Sequence, residues 1–392
     1  MLQTTSPIRR LKIAVLNRNF DPTGGGAERY SIAMVEQLAA VHEIHVFAQN
    51  IRHQWPGVTY HRIKTPCKRP RWINQLWYAY ATWRATRSGF DVVHSHENTW
   101  HGQVQTIHVL PIKYNLLQGR TGLKLALRWL KIVTSPRLLV YLWLERERYA
   151  QEPGRRLVVI SDSLRDVMAQ THPHTLPMMD LVGCGVASVP GAATATQKLA
   201  ARQQLKLPQS GPLVLLVAND FQKKGLATLL QALAQVNANL GTEVNLVVVG
   251  NPAQANAFAI QIAHLGLQQR VYFAGQLVDM AAAYQAADCL AHPTLEDTFG
   301  MAVLEAMSHG LPVVVSPARY CGIAGLLQHE YDALVLASPT DAFALAAALT
   351  SALADTPLRQ KLSANAIQFA GQHLWSVLAQ EQGLVYAKIY KS

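Results

Sequence analysis

Cysteine is scarce in this sequence: four in 392 residues, Cys67, Cys184, Cys289 and Cys321, widely spaced and without a Cys-x-x-Cys pair. That excludes a disulfide framework and a thiolate zinc site, and it points to a reducing cytoplasm. No run of about twenty apolar residues occurs, so a membrane span is not expected. The opening segment MLQTTSPIRRLKIAVL has too short an apolar run for a secretory signal and passes directly into a strand pattern. Acidic residues are scarce on one side only. Residues 1–156 hold 23 Lys+Arg against 9 Asp+Glu, whereas residues 157–392 hold 12 against 15. The net charge of +11 therefore belongs to the first part of the chain. Such a balance suits an anionic surface or polymer. Half of the residues are hydrophobic, enough for a core in each of about two domains.

The apolar segments are short and evenly distributed. Lys12–Asn17 reads as a buried parallel strand, followed by a turn with Gly24, Gly25 and Gly26, a helix over Tyr30–Ala40 and a strand over Glu43–Ala48. The turn is not a dinucleotide fingerprint, because Arg29 stands where GxGxxG needs its last glycine. Three glycines either let the backbone approach a ligand or merely make a tight turn. Val58–Arg62, Asp91–Ser95 and Val104–His108 read as further strands. Between them, Lys64, Lys68, Arg69, Arg71, Arg84 and Arg87 are interleaved with Trp72, Trp77, Tyr78, Tyr80 and Trp83. His94, His96 and His108 sit at strand ends, where ligand-facing residues of open α/β sheets lie. They raise a metal site without defining three ligands, and none is assigned.

Lys113–Arg148 has helical period and carries leucines, basic residues, Trp129, Tyr141 and Trp143. It reads either as a helix lying on an anionic bilayer or as one packed on the sheet with a solvated basic face. No nucleic-acid motif accompanies the charge. Arg156–Ser161 closes the first set, with Ser161 and Asp162 capping a helix over Ser163–Ala169. Residues 171–200, rich in proline and glycine, form a junction. A second set alternates strands Leu213–Val217, Asn245–Val249, Val271–Phe273 and Cys289–His292 with helices Gly225–Leu240, Ala253–Leu265 and Met280–Ala286. The expected fold is α/β, two Rossmann-like doubly wound domains facing a cleft. The expected divisions are 1–180, an acceptor-side domain with the basic aromatic region, 181–375, a nucleotide-binding domain, and 376–392, a helix crossing back to the first.

The stretch Ala291–Pro317 concentrates the chemistry. A strand ends near His292-Pro293, an acidic loop follows, and a helix begins around Gly300, whose open amides and dipole suit a phosphate. Asp297 and Glu305 each read alone as a helix-start charge or a solvated acid. The apolar neighbours of Glu305 argue against a plain surface role. Lys223-Lys224, at a strand end before a helix, are placed to hold a diphosphate, although such a pair by itself reads as an exposed one.

Together, Gly24–Gly26, Lys223-Lys224 and Asp297-x7-Glu305, with Phe299-Gly300, LEAM at 304–307 and Gly310-Leu311-Pro312-Val313-Val314, resemble the retaining glycosyltransferases of family four, which have the two-domain B-type fold (GT-B). In the turn DFQKKG and the segment Leu144–Asp162 the chain looks similar to lipopolysaccharide-core glucosyltransferases. The resemblance implies transfer of a hexose from a nucleotide diphosphate sugar, a UDP-sugar first, to lipopolysaccharide or another lipid-linked glycan. It implies that Glu305 binds the ribose and that Lys224 with Lys223 neutralises the leaving diphosphate. Asn219, Phe299 and the amides at Gly300, Met301 and Ala302 would line the donor, and Leu277, within Gly275–Val278, would meet the base. Gly25 and Gly26 would approach the donor, Glu28 and Arg29 would face the acceptor, and His108 would bond the transferred sugar. Asp297 stands where the family has Glu, one methylene longer, with Glu296 beside it as a substitute. No cofactor, metal or nucleic acid is implied. The expected location is cytoplasmic, peripheral at the anionic inner leaflet. Two alternatives are a sugar-nucleotide epimerase of the same architecture and a non-catalytic nucleotide-sugar-binding protein.

Overall fold

The computed structural model describes residues 9–67, 69–241 and 243–389. Lys68 and residues 390–392 of the expected closing helix lie outside them. The chain divides into two compact units, one running to Cys184 and resuming at Trp375, the other Gly185–Leu374. The divisions thus fall at Cys184 and Trp375 rather than at 180 and 376.

The first unit is built on strands β1 (Lys12–Leu16), β2 (Glu43–Ala48), β3 (Val58–Arg62), β4 (Val92–Ser95), β5 (Val104–Ile107), β6 (Arg156–Val159) and β7 (Met179–Leu181). Their order is β3-β2-β1-β4-β5-β6-β7, and every pairing is parallel. The second unit holds β8 (Leu213–Ala218), β9 (Asn245–Gly250), β10 (Val271–Gly275), β11 (Cys289–His292), β12 (Val313–Val315) and β13 (Leu334–Val335). It repeats the pattern as β10-β9-β8-β11-β12-β13, again all parallel. Both are doubly wound sheets that reverse direction beside their first strand. The strands are apolar runs because helices cover both faces; in β1, Ile13 to Leu16 are all buried.

In the first unit the helices are α1 (Gly26–Leu38), α2 (Arg71–Thr86), α3 (Ile112–Leu117), α4 (Gly122–Val133), α5 (Pro136–Arg148) and α6 (Asp162–Thr171). Helix α1 starts four residues earlier than expected. Extended Gly25 serves as its N-cap and Glu28 complements the dipole in the first turn. The expected long helix over Lys113–Arg148 is three helices. Gly119, between α3 and α4, and Gly122, the first residue of α4, take positive φ, and Pro136 opens α5. The buried Glu145 on α5 accepts hydrogen bonds from the amides of Ile112 and Lys113, filling two open donors at the start of α3. Helix α6 is capped as expected, Ser161 Oγ accepting from the Leu164 amide at 3.2 Å.

The second unit carries α7 (Ala195–Gln204), α8 (Leu226–Leu240), α9 (Ala259–His264), α10 (Ala281–Ala286), α11 (Met301–Ser308), α12 (Ala342–Ala354) and α13 (Thr356–Gln372). The expected helix Ala253–Leu265 is a 3-10 turn over Pro252–Phe258 followed by α9, because Asn251 caps the turn through its side chain. Leu229, Leu230, Leu233 and Val236 of α8 join Leu345 and Leu349 of α12 in the main core of this unit. Helix α14 (Trp375–Ile389) belongs to the first unit, where the ring of Trp375 meets Tyr30 edge-on at 5.2 Å.

Candidate active site

In the second unit, the loop after β11 and the turn after β8 come together. Gly225, at φ +75° on the N-terminal side of α8, lies so close to Pro293 that a Cβ there would stand 2.0 Å from the Pro293 carbonyl oxygen. This close approach requires glycine and sets the preceding lysines against the acidic loop. Lys224 Nζ lies 2.6 Å from Asp297 Oδ2 and donates to the Glu296 carbonyl at 3.1 Å. Lys223, more exposed, pairs with Glu296 Oε1 at 2.8 Å. Asp297 also bonds His292 Nε2 at 3.1 Å and accepts from the Phe299 amide at 3.3 Å. Burial alone would push its carboxyl up. The His292 hydrogen bond and the Lys224 ammonium outweigh burial and hold it well below the usual carboxylate range. Asp297 is therefore a fixed anion. The His292 ring, pushed down by burial against the pull of Asp297, stays neutral at physiological pH.

Beyond this carboxylate, Gly300 takes φ +103° and begins α11 without a side-chain cap. A Cβ on it would stand 2.7 Å from Cys321 Sγ, so only glycine fits there. The side chains of Phe299 and Ala302 are buried in the core, which leaves their backbone as the part able to meet a ligand. Met301 is half-buried, Asn219 is exposed at the end of β8, and Leu277 is half-buried after β10. Glu305, on α11, accepts a hydrogen bond from the Tyr284 hydroxyl at 2.6 Å, and the Tyr284 ring stacks on His309. The structure thus brings Lys223, Lys224, Asp297, Phe299 and Gly300 into one connected wall, and adds His292 and Tyr284, which the sequence reading missed. His292 had the same signal as His94: a histidine at the end of a buried strand. Tyr284 had none, since its reach to Glu305 depends on how α10 packs.

In the first unit, Gly25 and Gly26 have ordinary negative φ values, so no left-handed turn requires them. A Cβ on Gly25 would instead crowd Glu28 Oε2 at 3.2 Å. Glu28 and Arg29 are half-buried in the first turns of α1. The histidines form a linked group. His94 bonds the Tyr386 hydroxyl at 2.8 Å and Thr106 Oγ1 at 2.6 Å, while His96 Nδ1 and His108 Nε2 are 2.9 Å apart with stacked rings. Burial, with the nearby Arg148 charge, pushes His94 and His108 down to about 3. Both rings are neutral at physiological pH. Among the described residues no group of three or more His, Cys, Asp or Glu is arranged to hold a metal ion.

This geometry can be set beside known proteins. The model "Glycosyltransferase Family 4" matches residues 24–186, and "Glycosyl transferases group 1" matches residues 197–369. Lipopolysaccharide glucosyltransferase WaaG of Escherichia coli (strain K12) is 32% identical over 179 residues, 45% of this chain and 46% of that protein. A D-inositol 3-phosphate glycosyltransferase of Stackebrandtia nassauensis is 33% identical over 211 residues, 49% of this chain and 45% of that one. The chain spans about half the length of the curated relatives it matches. The crystal structure of WaaG superposes with a TM-score of 0.79 at 22% identity, covering 95% of this chain and 99% of that one. Anabaena Alr3699/HepE in complex with UDP and glucose gives 0.74 at 18% identity, covering 96% and 100%. At these identities the structural likeness is one of fold. With a glycosyltransferase model matched on each half and the two-sheet fold shared with these structures, the chain belongs to the family 4 glycosyltransferases of the two-domain GT-B type.

Proposed function

We propose that this chain is a retaining hexosyltransferase using a nucleotide diphosphate sugar, a UDP-sugar first, and a lipopolysaccharide or other lipid-linked glycan as acceptor. The observation that carries this reading is the Lys224–Asp297–His292 group, 2.6 and 3.1 Å apart, directly ahead of the uncapped helix start at Gly300. A diphosphate at that helix start meets the open amides of α11 and the ammonium groups of Lys224 and Lys223. The bond from the anomeric carbon to the diphosphate breaks, and the bond to the acceptor oxygen forms on the same face. The acceptor proton passes to the departing diphosphate. Asp297, fixed as an anion, stabilises the positive charge that develops on the sugar, and neutral His108 bonds a sugar hydroxyl. Glu305 takes the ribose hydroxyls, Leu277 borders the base, and Glu28 and Arg29 serve the acceptor side. These roles use side chains and backbone of the chain alone, without a metal. The Escherichia coli relative named for lipopolysaccharide glucosyl transfer and the HepE complex with UDP and glucose support the choice of acceptor and donor.

The test is incubation with several UDP-hexoses, with and without a lipid-linked core glycan. UDP release that depends on the acceptor, and a product of unchanged anomeric configuration by NMR, are expected. Isomerised sugar nucleotide without acceptor would point to the epimerase instead. Removing the hydroxyl that holds Glu305, by Tyr284→Phe, is expected to raise the donor KM about tenfold with kcat little changed. An unaltered KM would remove Glu305 from ribose binding.

The same proposal places the enzyme at the inner face of the cytoplasmic membrane. Leu123, Leu127 and Leu130, four and three residues apart along α4, are 74%, 58% and 59% exposed, beside Lys124, Arg128 and Lys131. An exposed apolar stripe flanked by cations suits an anionic headgroup layer. Among the described residues no helix is long and apolar enough to cross a membrane. Co-sedimentation with vesicles containing phosphatidylglycerol is expected, weakening with salt. Equal binding to pure phosphatidylcholine would refute the electrostatic part.

A further inference from the structure

The strands of the first unit have a second populated end. At their N-terminal edge, opposite the end that bears His94 and His108, lies a cavity of about 490 Å³ lined by Trp83, Arg87, Trp100, His101, Gln103 and Arg155. Its size is within the range of small-molecule sites. Four chain segments build it: the last turn of α2, Val93 of β4, the loop entering β5 and the loop entering β6. Gln103 is fixed at the wall because its Oε1 accepts from the Val93 amide at 2.8 Å. The Trp100 ring is held by Trp143, with centroids 5.7 Å apart.

The polar atoms here are unusual. Among the described residues, both ring nitrogens of His101 and Nε of Arg155 are buried without a hydrogen-bond partner. The other Arg155 nitrogens are engaged, Nη1 with the Glu147 carbonyl at 2.7 Å and Nη2 with the Trp100 carbonyl at 3.2 Å. Buried polar groups are nearly always bonded, so these three atoms call for a partner. Burial keeps the His101 ring neutral, giving one donor and one acceptor. Arg155 is balanced by Glu152 at 2.6 Å, and Arg87 at the exposed rim leaves the lining with one net positive charge.

We propose that this cavity binds a saccharide unit, at the opposite end of the strands from His108. A sugar ring offers apolar C–H faces, which suit the flat rings of Trp83 and Trp100. Its rim of hydroxyls donates and accepts, which suits an imidazole with one nitrogen of each kind and a guanidinium with an unused N–H. An acyl chain would leave His101 and Arg155 unpaired. A bare phosphate would meet Arg87 at the rim but has no apolar face to lay on the Trp83 and Trp100 rings. The inference goes beyond the transferase reading and stands without it.

The full chain is titrated with methyl α-D-glucopyranoside, methyl α-D-galactopyranoside and maltotriose, read by saturation-transfer NMR and tryptophan fluorescence. Binding in the millimolar range is expected for at least one of them. Trp83→Ala and Arg87→Ala, both at exposed positions, are expected to weaken it by at least about tenfold with the circular dichroism unchanged. Lys224→Ala, in the other unit, is expected to leave it intact. No saturation transfer from any probe, an affinity unaffected by Trp83→Ala, or loss in Lys224→Ala alone would each overturn the assignment. Because no turnover is measured, failure here leaves the transferase reading standing, and the reverse also holds.

Discussion

Replacing Lys224 by alanine is expected to lower kcat/KM for the sugar nucleotide by about 10²–10³-fold, roughly 3–4 kcal/mol of transition-state stabilisation. The lysine has two duties that fail together. On the proposed reading it neutralises charge on the departing diphosphate, and its 2.6 Å contact helps keep Asp297 anionic and in place. Both side chains are mostly buried, so solvent does not replace the lost partner. Lys224→Arg retains the charge but spreads it over a planar fork, and only partial recovery is expected. Lys223→Ala is expected to cost less, since its pair with Glu296 is solvent-exposed. The check is steady-state release of UDP against donor concentration. Activity of Lys224→Ala within about threefold of the parent would remove it from the mechanism.

The second large effect is on stability in acid. His94 and His108 are pushed from an ordinary 6.5 to about 3 by burial and the Arg148 charge. Between these limits the unfolded chain takes up protons that the folded chain refuses. Their contribution is fully present above pH 6.5 and is lost as pH falls toward 3. Each costs roughly 2 kcal/mol between pH 6.5 and 5. Asp297 acts in the same direction, but only below the usual carboxylate range. Urea unfolding of the first unit from pH 8 to pH 5 is expected to show a steep decline, and His94→Gln is expected to flatten it. A flat profile for the parent would mean that the rings charge without unfolding.

Much of the fold is legible in the sequence. Alternating apolar runs and helical periods gave two doubly wound sets, because a parallel strand covered on both faces must be short and apolar throughout. Lys224, Asp297 and Gly300 were legible because glycine, charge and helix start recur within a few residues. Contacts between separate elements were not. Tyr284 meets Glu305 only through the packing of α10 on its neighbours, and His96 meets His108 only because β4 and β5 are adjacent. The break of Lys113–Arg148 into three helices was written in Gly119, Gly122 and Pro136, and was hidden by a continuous apolar period across them. Gly25 misled in the other direction, because its backbone is one that any residue adopts.

The Glu145 carboxylate, clasping the amides of Ile112 and Lys113, joins parts of the chain with different tasks. Only Val109, Leu110 and Pro111 separate that clasp from His108. On its other side, α5 packs against α4, the helix that bears the exposed leucines. A push on the outer helices therefore has a short tether to the imidazole at the strand end, so the proposed docking at a surface and the proposed alignment of a sugar hydroxyl would share one mechanical part.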